Sequence, residues 1–268
     1  MPLKRSGSLK DQINRAGCFY LTLKMRLSFK DIVREDAPPW KAGVLTLLVA
    51  FAVYANSLLN GFVWDDTNVI LTNELLRGSP LELFRAIDVT RDYELIPYYR
   101  PLAQLSFMIE WIVHGLSPFW MHFFNVLLHG ANTFLVYYLI RILSNNILIS
   151  VLSALLFAVH PINTETVDFL SGGRNTMLAC LFSLSSLLLY RGSITKGIRW
   201  AVYSGIAFGA GLFSKEFAFM TIAFIIWMEL RQLRTGGRRE WRTSLIRMSP
   251  IVVMLLIYMF MRWQTLSG

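Results

Sequence analysis

Seven apolar runs, separated by short polar turns, are the feature of this sequence that most restricts its fold. The runs cover residues 43–59, 119–140, 147–160, 176–190, 200–213, 217–230 and 249–263. Only 16% of the residues are charged and the mean hydropathy is +0.47, whereas a soluble domain carries roughly a quarter charged residues. The pattern predicts an all-α, polytopic helical membrane protein of about seven spans. It excludes a secreted disulfide scaffold, a disordered chain and a compact soluble enzyme.

Several of these runs are short for a membrane span. They hold about 14 to 16 residues, whereas a bilayer requires roughly 20. Such helices either extend through polar residues or end in a cavity below the membrane surface. The stretch 102–116 differs from the runs, because Gln104, Ser106, Glu110 and His114 make much of one helical face polar. We interpret it as an interfacial helix in the first outer loop.

The basic excess of the chain indicates its orientation in the membrane. The net charge is +9, from 26 Lys and Arg against 17 Asp and Glu. If the amino terminus is inside and stretch 102–116 does not cross, the inner face carries +13 and the outer face −4. Basic loops favour the cytoplasmic side. We therefore predict seven spans with the amino terminus in the cytoplasm and the carboxyl terminus outside, and no nucleic-acid partner.

The same pattern divides the chain into three parts. They are a basic cytoplasmic tail over 1–41, a transmembrane domain over 42–263 with an outer loop over 60–118, and a carboxyl-terminal end over 264–268. Met25 is an alternative start of the protein. The glycine pairs at 172–173 and 236–237 predict turns.

Polar residues that interrupt apolar sequence converge on the predicted outer face. They are Asp65 and Asp66 after the first span, Arg100 in the outer loop, His160, Glu165, Asp168 and Arg174 around the end of the third span, and Lys215 and Glu216 between the fifth and sixth spans. Ionisable groups near membrane depth are costly, which makes them functional candidates. Each also has a structural alternative. The acidic pair could cap a helix, His160 could end a span, and Lys215 and Glu216 could form a local ion pair.

Together these residues suit group transfer from a lipid-linked phosphate. A carboxylate of Asp65 or Asp66 can deprotonate an acceptor hydroxyl as it attacks an anomeric carbon. Arg174, Lys215 and His160 can hold the departing phosphate and stabilise its charge. The acidic pair is alternatively a partial ligand set for a divalent metal.

Five blocks of this sequence, in order over about residues 50–230, resemble one known family. The blocks are 60–66 with Ile70 and Asn73; 99–102 with Ser106; His122 with Asn125, Leu128 and His129; His160 and Pro161 with Glu165, Val167, Arg174, Leu178 and Phe182; and 214–216. They resemble the transmembrane and tetratricopeptide-repeat protein O-mannosyltransferases and their prokaryotic relatives.

The resemblance implies a C-type glycosyltransferase fold with a polyprenyl-phosphate sugar as donor and a protein or glycan acceptor outside the cytosol. It implies that Asp65 and Asp66 are catalytic. The donor-side and phosphate-binding candidates are His160, Glu165, Arg174, Lys215, Glu216 and Arg100. This sequence departs from the family where Asn175 and Thr176 follow Arg174, since family members often carry an acid there.

The resemblance covers the membrane part only. Family members have additional spans and usually a repeat domain, so a carboxyl-terminal or repeat-containing partner is expected. The leading hypothesis is a membrane glycosyltransferase. The alternative is a truncated, non-catalytic relative that acts as a scaffold or lipid-binding subunit, and a transporter of lipid-linked sugar ranks below both. The absence of an Asn-x-Ser/Thr sequon favours a bacterial inner membrane over the endoplasmic reticulum.

Overall fold

The computed structural model describes residues 38–85, 98–236 and 240–267, and within these ranges no β-strand occurs. The α-helices are α1 Pro39–Val53, α2 Pro80–Leu83, α3 Pro101–His114, α4 Pro118–Ser144, α5 Ile147–Val159, α6 Asn163–Asp168, α7 Leu170–Lys196, α8 Ile198–Ser214, α9 Thr221–Gly236 and α10 Glu240–Ser267. Shorter helical turns cover Ala55–Leu59, Thr67–Leu71, Glu74–Arg77 and Glu216–Met220. The all-α fold class is confirmed.

The long helices follow the apolar runs. Helices α1, α4, α5, α7, α8, α9 and α10 each coincide with one run. Of the described helices, α4, α7 and α10 are long and apolar enough to cross a membrane, and α1 and α5 are shorter apolar helices. The membrane class is therefore confirmed, whereas the number of spans and the limits of the three parts stay predictions. The tail up to residue 37 lies outside the described residues.

Helix α7 occupies the centre of the helical assembly. It packs along α8 and α4, while α8 packs on α10 and α4 packs on α1 and α5. Gly205 of α8 lies against Pro250 of α10, and Gly209 lies against Met254. Small residues allow helix backbones to approach closely where lipid provides no hydrophobic driving force.

A buried polar network joins three helices at the predicted inner end. Glu229 of α9 accepts hydrogen bonds from Arg247 Nε at 2.9 Å and Nη2 at 2.8 Å. The hydroxyl of Tyr190, on α7, donates to the same carboxylate at 2.7 Å, and Ser244 of α10 also donates to it. Because both oxygens are satisfied, this buried charge is compensated and links α7, α9 and α10.

The polar face of α3 is turned into the protein. Gln104 Oε1 accepts a hydrogen bond from Asn73 at 3.2 Å, and Glu110 is 6% exposed. Ile112 and Val113 are 69% and 74% exposed instead. The polar face predicted from the sequence therefore binds protein groups, and part of the apolar surface of α3 is exposed.

The turn predicted at residues 172–173 is wrong, because both glycines lie in the first turns of α7. A Cβ atom on Gly173 would overlap the backbone carbonyl of Thr166, which belongs to α6. The glycine therefore permits close packing of two helices, and it does not reverse the chain.

Candidate active site

The acidic pair lies in a tight bend after α1, where its two carboxylates have different surroundings. Trp64 has a φ of +50°, which reverses the chain just before the pair. Asp65 is exposed, whereas Asp66 is fully buried. The Oδ1 atom of Asp66 accepts the backbone N–H of Ser171 at 2.9 Å, and Oδ2 accepts that of Val63 at 3.0 Å. Of the two, Asp65 has the carboxylate that a substrate can reach.

The donor set around the pair does not fit a metal site. Both oxygens of Asp66 already accept amide hydrogens. Among the described residues, no group of three or more His, Cys, Asp and Glu side chains gathers into a candidate metal site. A metal held by Asp65 and Asp66 alone would lack the additional protein ligands that a stable site needs.

A cleft of about 560 Å³ opens between the outer loop and α6. Its lining residues are Asn60, Gly61, Val63, Trp64, Thr164, Glu165, Asp168 and Phe169. The rings of Trp64 and Phe169 meet edge to face with centroids 5.4 Å apart. The loop that carries the acidic pair therefore forms one wall, and α6 with Glu165 forms the other.

Asp168 is a further carboxylate of this cleft, next to Glu165 in the lining. Its Oδ1 atom is buried and makes no hydrogen bond within the described residues. Burial raises the pKa of Asp168, and the nearby His122 only partly opposes the shift. Asp168 therefore holds its proton more readily than an exposed aspartate.

A cluster of charges lies beside this cleft. Arg100 binds Glu216 through two hydrogen bonds, from Nη2 at 2.8 Å and from Nε at 3.3 Å. Lys215 Nζ donates to Thr176 Oγ1 at 2.8 Å. Glu165, which lines the cleft, interacts electrostatically with Lys215. Glu165 therefore connects the cleft to the cationic cluster.

The pKa values of this cluster follow from burial and neighbouring charge. Burial, followed by the positive charge of Arg100, lowers the pKa of Lys215. Burial also acts to raise the pKa of Glu216, but the hydrogen bonds and charge of Arg100 outweigh it and the pKa is lowered. Glu216 is therefore a carboxylate anion at neutral pH.

Arg262 of α10 belongs to the same cluster, although sequence reasoning did not select it. Its charge contributes to the lowered pKa of Glu216. Its Nη1 atom donates to the hydroxyl of Tyr258 at 3.0 Å. The signal that could have identified Arg262 was an arginine near the outer end of the last apolar run. Its helix, however, is remote in sequence from the other blocks.

Arg174 lies in the protein interior. It is 0% exposed, and Nε donates to Asn125 Oδ1 at 2.6 Å. Its Nη1 lies 3.1 Å from Glu110 Oε1, and Nη2 donates to the backbone oxygen of Met121 at 3.1 Å. The guanidinium therefore links α3, α4 and α7. Direct contact between Arg174 and a donor phosphate stays a prediction, because the contacts in this structure are all internal.

His160 lines a different cavity from the cleft beside the acidic loop. It follows the last residue of α5 and is exposed. It lines a second cavity that shares no lining residue with the first cleft. The structure thus brings Glu165, Arg100, Lys215 and Glu216 together, and it separates His160 and Arg174 from that group.

The comparisons with known proteins agree with the resemblance seen in the sequence. The family profile described as dolichyl-phosphate-mannose-protein mannosyltransferase matches residues 102–263. Protein O-mannosyl-transferase TMTC2 of Homo sapiens is 34% identical over 188 residues, which cover 65% of this chain and 22% of that protein. Protein O-mannosyl-transferase Tmtc1 of Drosophila melanogaster is 36% identical over 152 residues, covering 53% of this chain and 17% of that protein.

This chain thus spans about a fifth of the length of the curated relatives that it matches. No solved structure matches it at a significant level. These relatives are animal proteins, so they give no support to the expected bacterial inner membrane.

Proposed function

Because this chain belongs to the dolichyl-phosphate-mannose-protein mannosyltransferase family, we propose that it is a membrane glycosyltransferase that moves a sugar from a polyprenyl phosphate to a hydroxyl acceptor. The observation that carries the proposal is the exposed carboxylate of Asp65 next to a cleft whose other wall adjoins a cationic cluster. The acceptor hydroxyl attacks the donor sugar on the extracytoplasmic face, where the charge pattern predicts this loop to lie. The relatives are named as protein O-mannosyl-transferases, which favours a protein acceptor.

Asp65 is the proposed general base. Its carboxylate accepts the proton of the acceptor hydroxyl while the hydroxyl oxygen forms a bond to the anomeric carbon of the donor sugar. Asp66 acts as a positioning residue, since its two amide hydrogen bonds hold the bend in which Asp65 lies. This assignment gives the acidic pair one catalytic and one supporting member.

The leaving phosphate needs positive charge. As the bond between the anomeric carbon and the phosphate oxygen breaks, the electron pair stays on the phosphate. Arg100 and Lys215 are half-buried cations next to the cleft wall, and cations in such a place stabilise developing negative charge. Glu216 orients Arg100 through the two-point pair, and Glu165 interacts electrostatically with Lys215. We assign Arg174 to positioning, because its buried contacts hold α3, the helix that Arg100 precedes, against α4 and α7.

The partners follow from the same reaction. The donor is a lipid, which can enter sideways from the membrane. Because the relatives are much longer than this chain, we propose that a carboxyl-terminal or repeat-containing part takes part in recognising the acceptor.

The experiment is transfer of a radiolabelled sugar from a polyprenyl phosphate to an acceptor in proteoliposomes. Removal of one general base lowers a rate by about 100-fold or more, so we expect that loss in Asp65→Asn with donor binding retained. Glu74→Gln is the matched control, because Glu74 is an exposed acid of the same outer loop outside the cleft. Full transfer by Asp65→Asn would overturn the mechanism. Donor binding without any transfer by the wild-type chain would favour the non-catalytic, lipid-binding alternative.

A further inference from the structure

A second cavity, of about 360 Å³, lies at the carboxyl-terminal end of α5. Its lining residues are Ser153, Leu156, Phe157, His160, Ile162 and Asn163. The cavity shares none of them with the cleft beside Asp65. The proposed transfer reaction does not use this cavity.

The cavity lies at membrane depth, because α5 is too short to cross. Its 13 residues extend about 20 Å, whereas the hydrocarbon core is about 30 Å thick. Near its end, the backbone oxygen of Ala158 contacts His129 Nε2 at 3.0 Å. From His129, α4 continues for about a further 16 Å to Pro118. Helix α5 thus ends opposite the middle of α4, and the cavity is the gap at that end.

His160 offers one hydrogen-bond donor to this gap. Its Nδ1 atom accepts the backbone N–H of Ile162 at 3.2 Å. A neutral imidazole that accepts at Nδ1 carries its hydrogen on Nε2. The exposed Nε2–H of His160 is therefore a donor that suits a phosphate oxygen.

The other lining side chains are those of Leu156, Phe157 and Ile162, which are apolar, Asn163, which is hydrogen-bonded, and Ser153, which carries a hydroxyl. Leu156 is 64% exposed and Ile162 is 74% exposed, so both offer contact to an acyl chain. The backbone oxygen of Phe157 accepts a hydrogen bond from Asn163 at 2.7 Å, and that of His160 accepts one from Tyr54 at 3.4 Å. These bonds reduce the negative potential that the end of a helix presents to a phosphate.

The charge of the cavity selects the type of lipid. None of its lining residues is Lys, Arg, Asp or Glu. An anionic headgroup would lack a neutralising cation there, whereas a headgroup that carries its own ammonium needs none. The sugar-phosphate donor would similarly lack the cations that Arg100 and Lys215 provide in the other cleft.

We propose that this cavity binds one zwitterionic phospholipid, with the lipid phosphate on His160 and an acyl chain against Leu156 and Ile162. The bound lipid fills the gap left by the short helix α5 and packs beside α6, which carries Glu165. The proposal is independent of the transfer reaction, since it concerns a resident lipid that is not consumed.

The test is photolabelling of the reconstituted protein in vesicles of equal parts phosphatidylethanolamine and phosphatidylglycerol. Each lipid is made photoreactive in turn, and labelled peptides are mapped by mass spectrometry. We expect phosphatidylethanolamine to label residues 153–163. Loss of one hydrogen bond corresponds to about a fivefold loss of occupancy. We therefore expect His160→Ala to reduce this labelling about fivefold. His160→Gln keeps a hydrogen-bond donor and should restore most of the labelling.

A second variant keeps the test informative if the protein with His160→Ala does not fold. Ile162→Trp should block labelling by filling the cavity. Ile206→Trp is the matched control, because Ile206 is a residue of α8 that is 55% exposed, and it should leave labelling unchanged. Equal or stronger labelling by phosphatidylglycerol would overturn the proposal, as would unchanged labelling in both His160→Ala and Ile162→Trp. Displacement of the label by an equal concentration of polyprenyl phosphate would assign the cavity to the donor instead.

Discussion

The carboxylate of Asp66 accepts the backbone N–H of Ser171 at 2.9 Å, and the two residues lie 105 positions apart in the sequence. This bond fastens the outer loop to the first turn of α7. The amino-terminal end of a helix carries partial positive charge, which favours a buried carboxylate at this place. The bend that carries Asp65 is therefore attached to the helix that also carries Arg174 and Thr176.

Asp66→Asn is expected to destabilise the fold, and Asp65→Asn is not. An asparagine at position 66 keeps one acceptor oxygen but directs an NH₂ group at a backbone N–H. Leaving a buried donor unsatisfied costs about 1–3 kcal/mol. Thermal unfolding in detergent should therefore show a lower midpoint for Asp66→Asn alone. An equal loss of stability in both variants would contradict the separate roles assigned to the pair.

Arg174 and Glu110 should behave as a coupled pair. Each is nearly fully buried and their closest atoms are 3.1 Å apart. Removal of one partner from a buried pair costs about 3–5 kcal/mol, since an uncompensated charge remains. Arg174→Met should therefore destabilise strongly, and adding Glu110→Gln should recover part of the loss. A double-mutant cycle on the free energy of unfolding measures this, and strictly additive effects would show that the pair is not coupled.

Gly173→Ala should disrupt the packing of α6 on α7. The added Cβ atom would overlap the carbonyl oxygen of Thr166, and a backbone group cannot move aside as a flexible side chain can. The expected result is a lower yield of folded protein and a lower unfolding temperature. Gly61→Ala is the matched control, since nothing lies within 4 Å of its added Cβ atom. Wild-type behaviour of Gly173→Ala would refute this tight contact.

Donor binding should weaken at alkaline pH because of Lys215. Burial and Arg100 lower its pKa, so it loses its proton at a lower pH than an exposed lysine does. Binding of the donor phosphate is fully present below that lowered pKa and falls as the pH rises through it. Lys215→Arg should keep its charge and extend binding to higher pH. The measurement is donor affinity between pH 7 and pH 10, and identical profiles for both proteins would contradict the role of Lys215.

The helical fold could be predicted from the sequence to a large extent. The apolar runs and the seven long helices coincide, because apolar side chains are stable only against lipid or other apolar groups. The residues at 172–173 show where this reasoning stops. A glycine pair is compatible with a turn or with close helix packing. Only the position of the Thr166 carbonyl against Gly173 shows that close packing is the reason for the glycine.

The candidate site could be predicted only in part. Lys215, Glu216 and Arg100 are unusual polar residues at the ends of apolar segments, and the structure groups them. Arg262 was missed, because its helix is remote in sequence and its proximity depends on how α10 packs on α8. His160 was grouped with them in the prediction, but in the structure it lines a different cavity, and which cavity it lines depends on how the helices pack.

The sequence by itself determined the class of molecule, which is a helical membrane protein, and the family. It also identified a set of polar residues whose presence near membrane depth is too costly to be incidental. Those conclusions depend on composition and order along the chain. Only the tertiary structure decided which of those residues are exposed and which are enclosed. Asp65 and Asp66 are neighbours of the same chemical type, yet one is exposed and the other is enclosed by two backbone amides. The reason is that burial and hydrogen bonding depend on groups that are distant in the chain. Burial and hydrogen bonding determine the role of a carboxylate more than its residue type does.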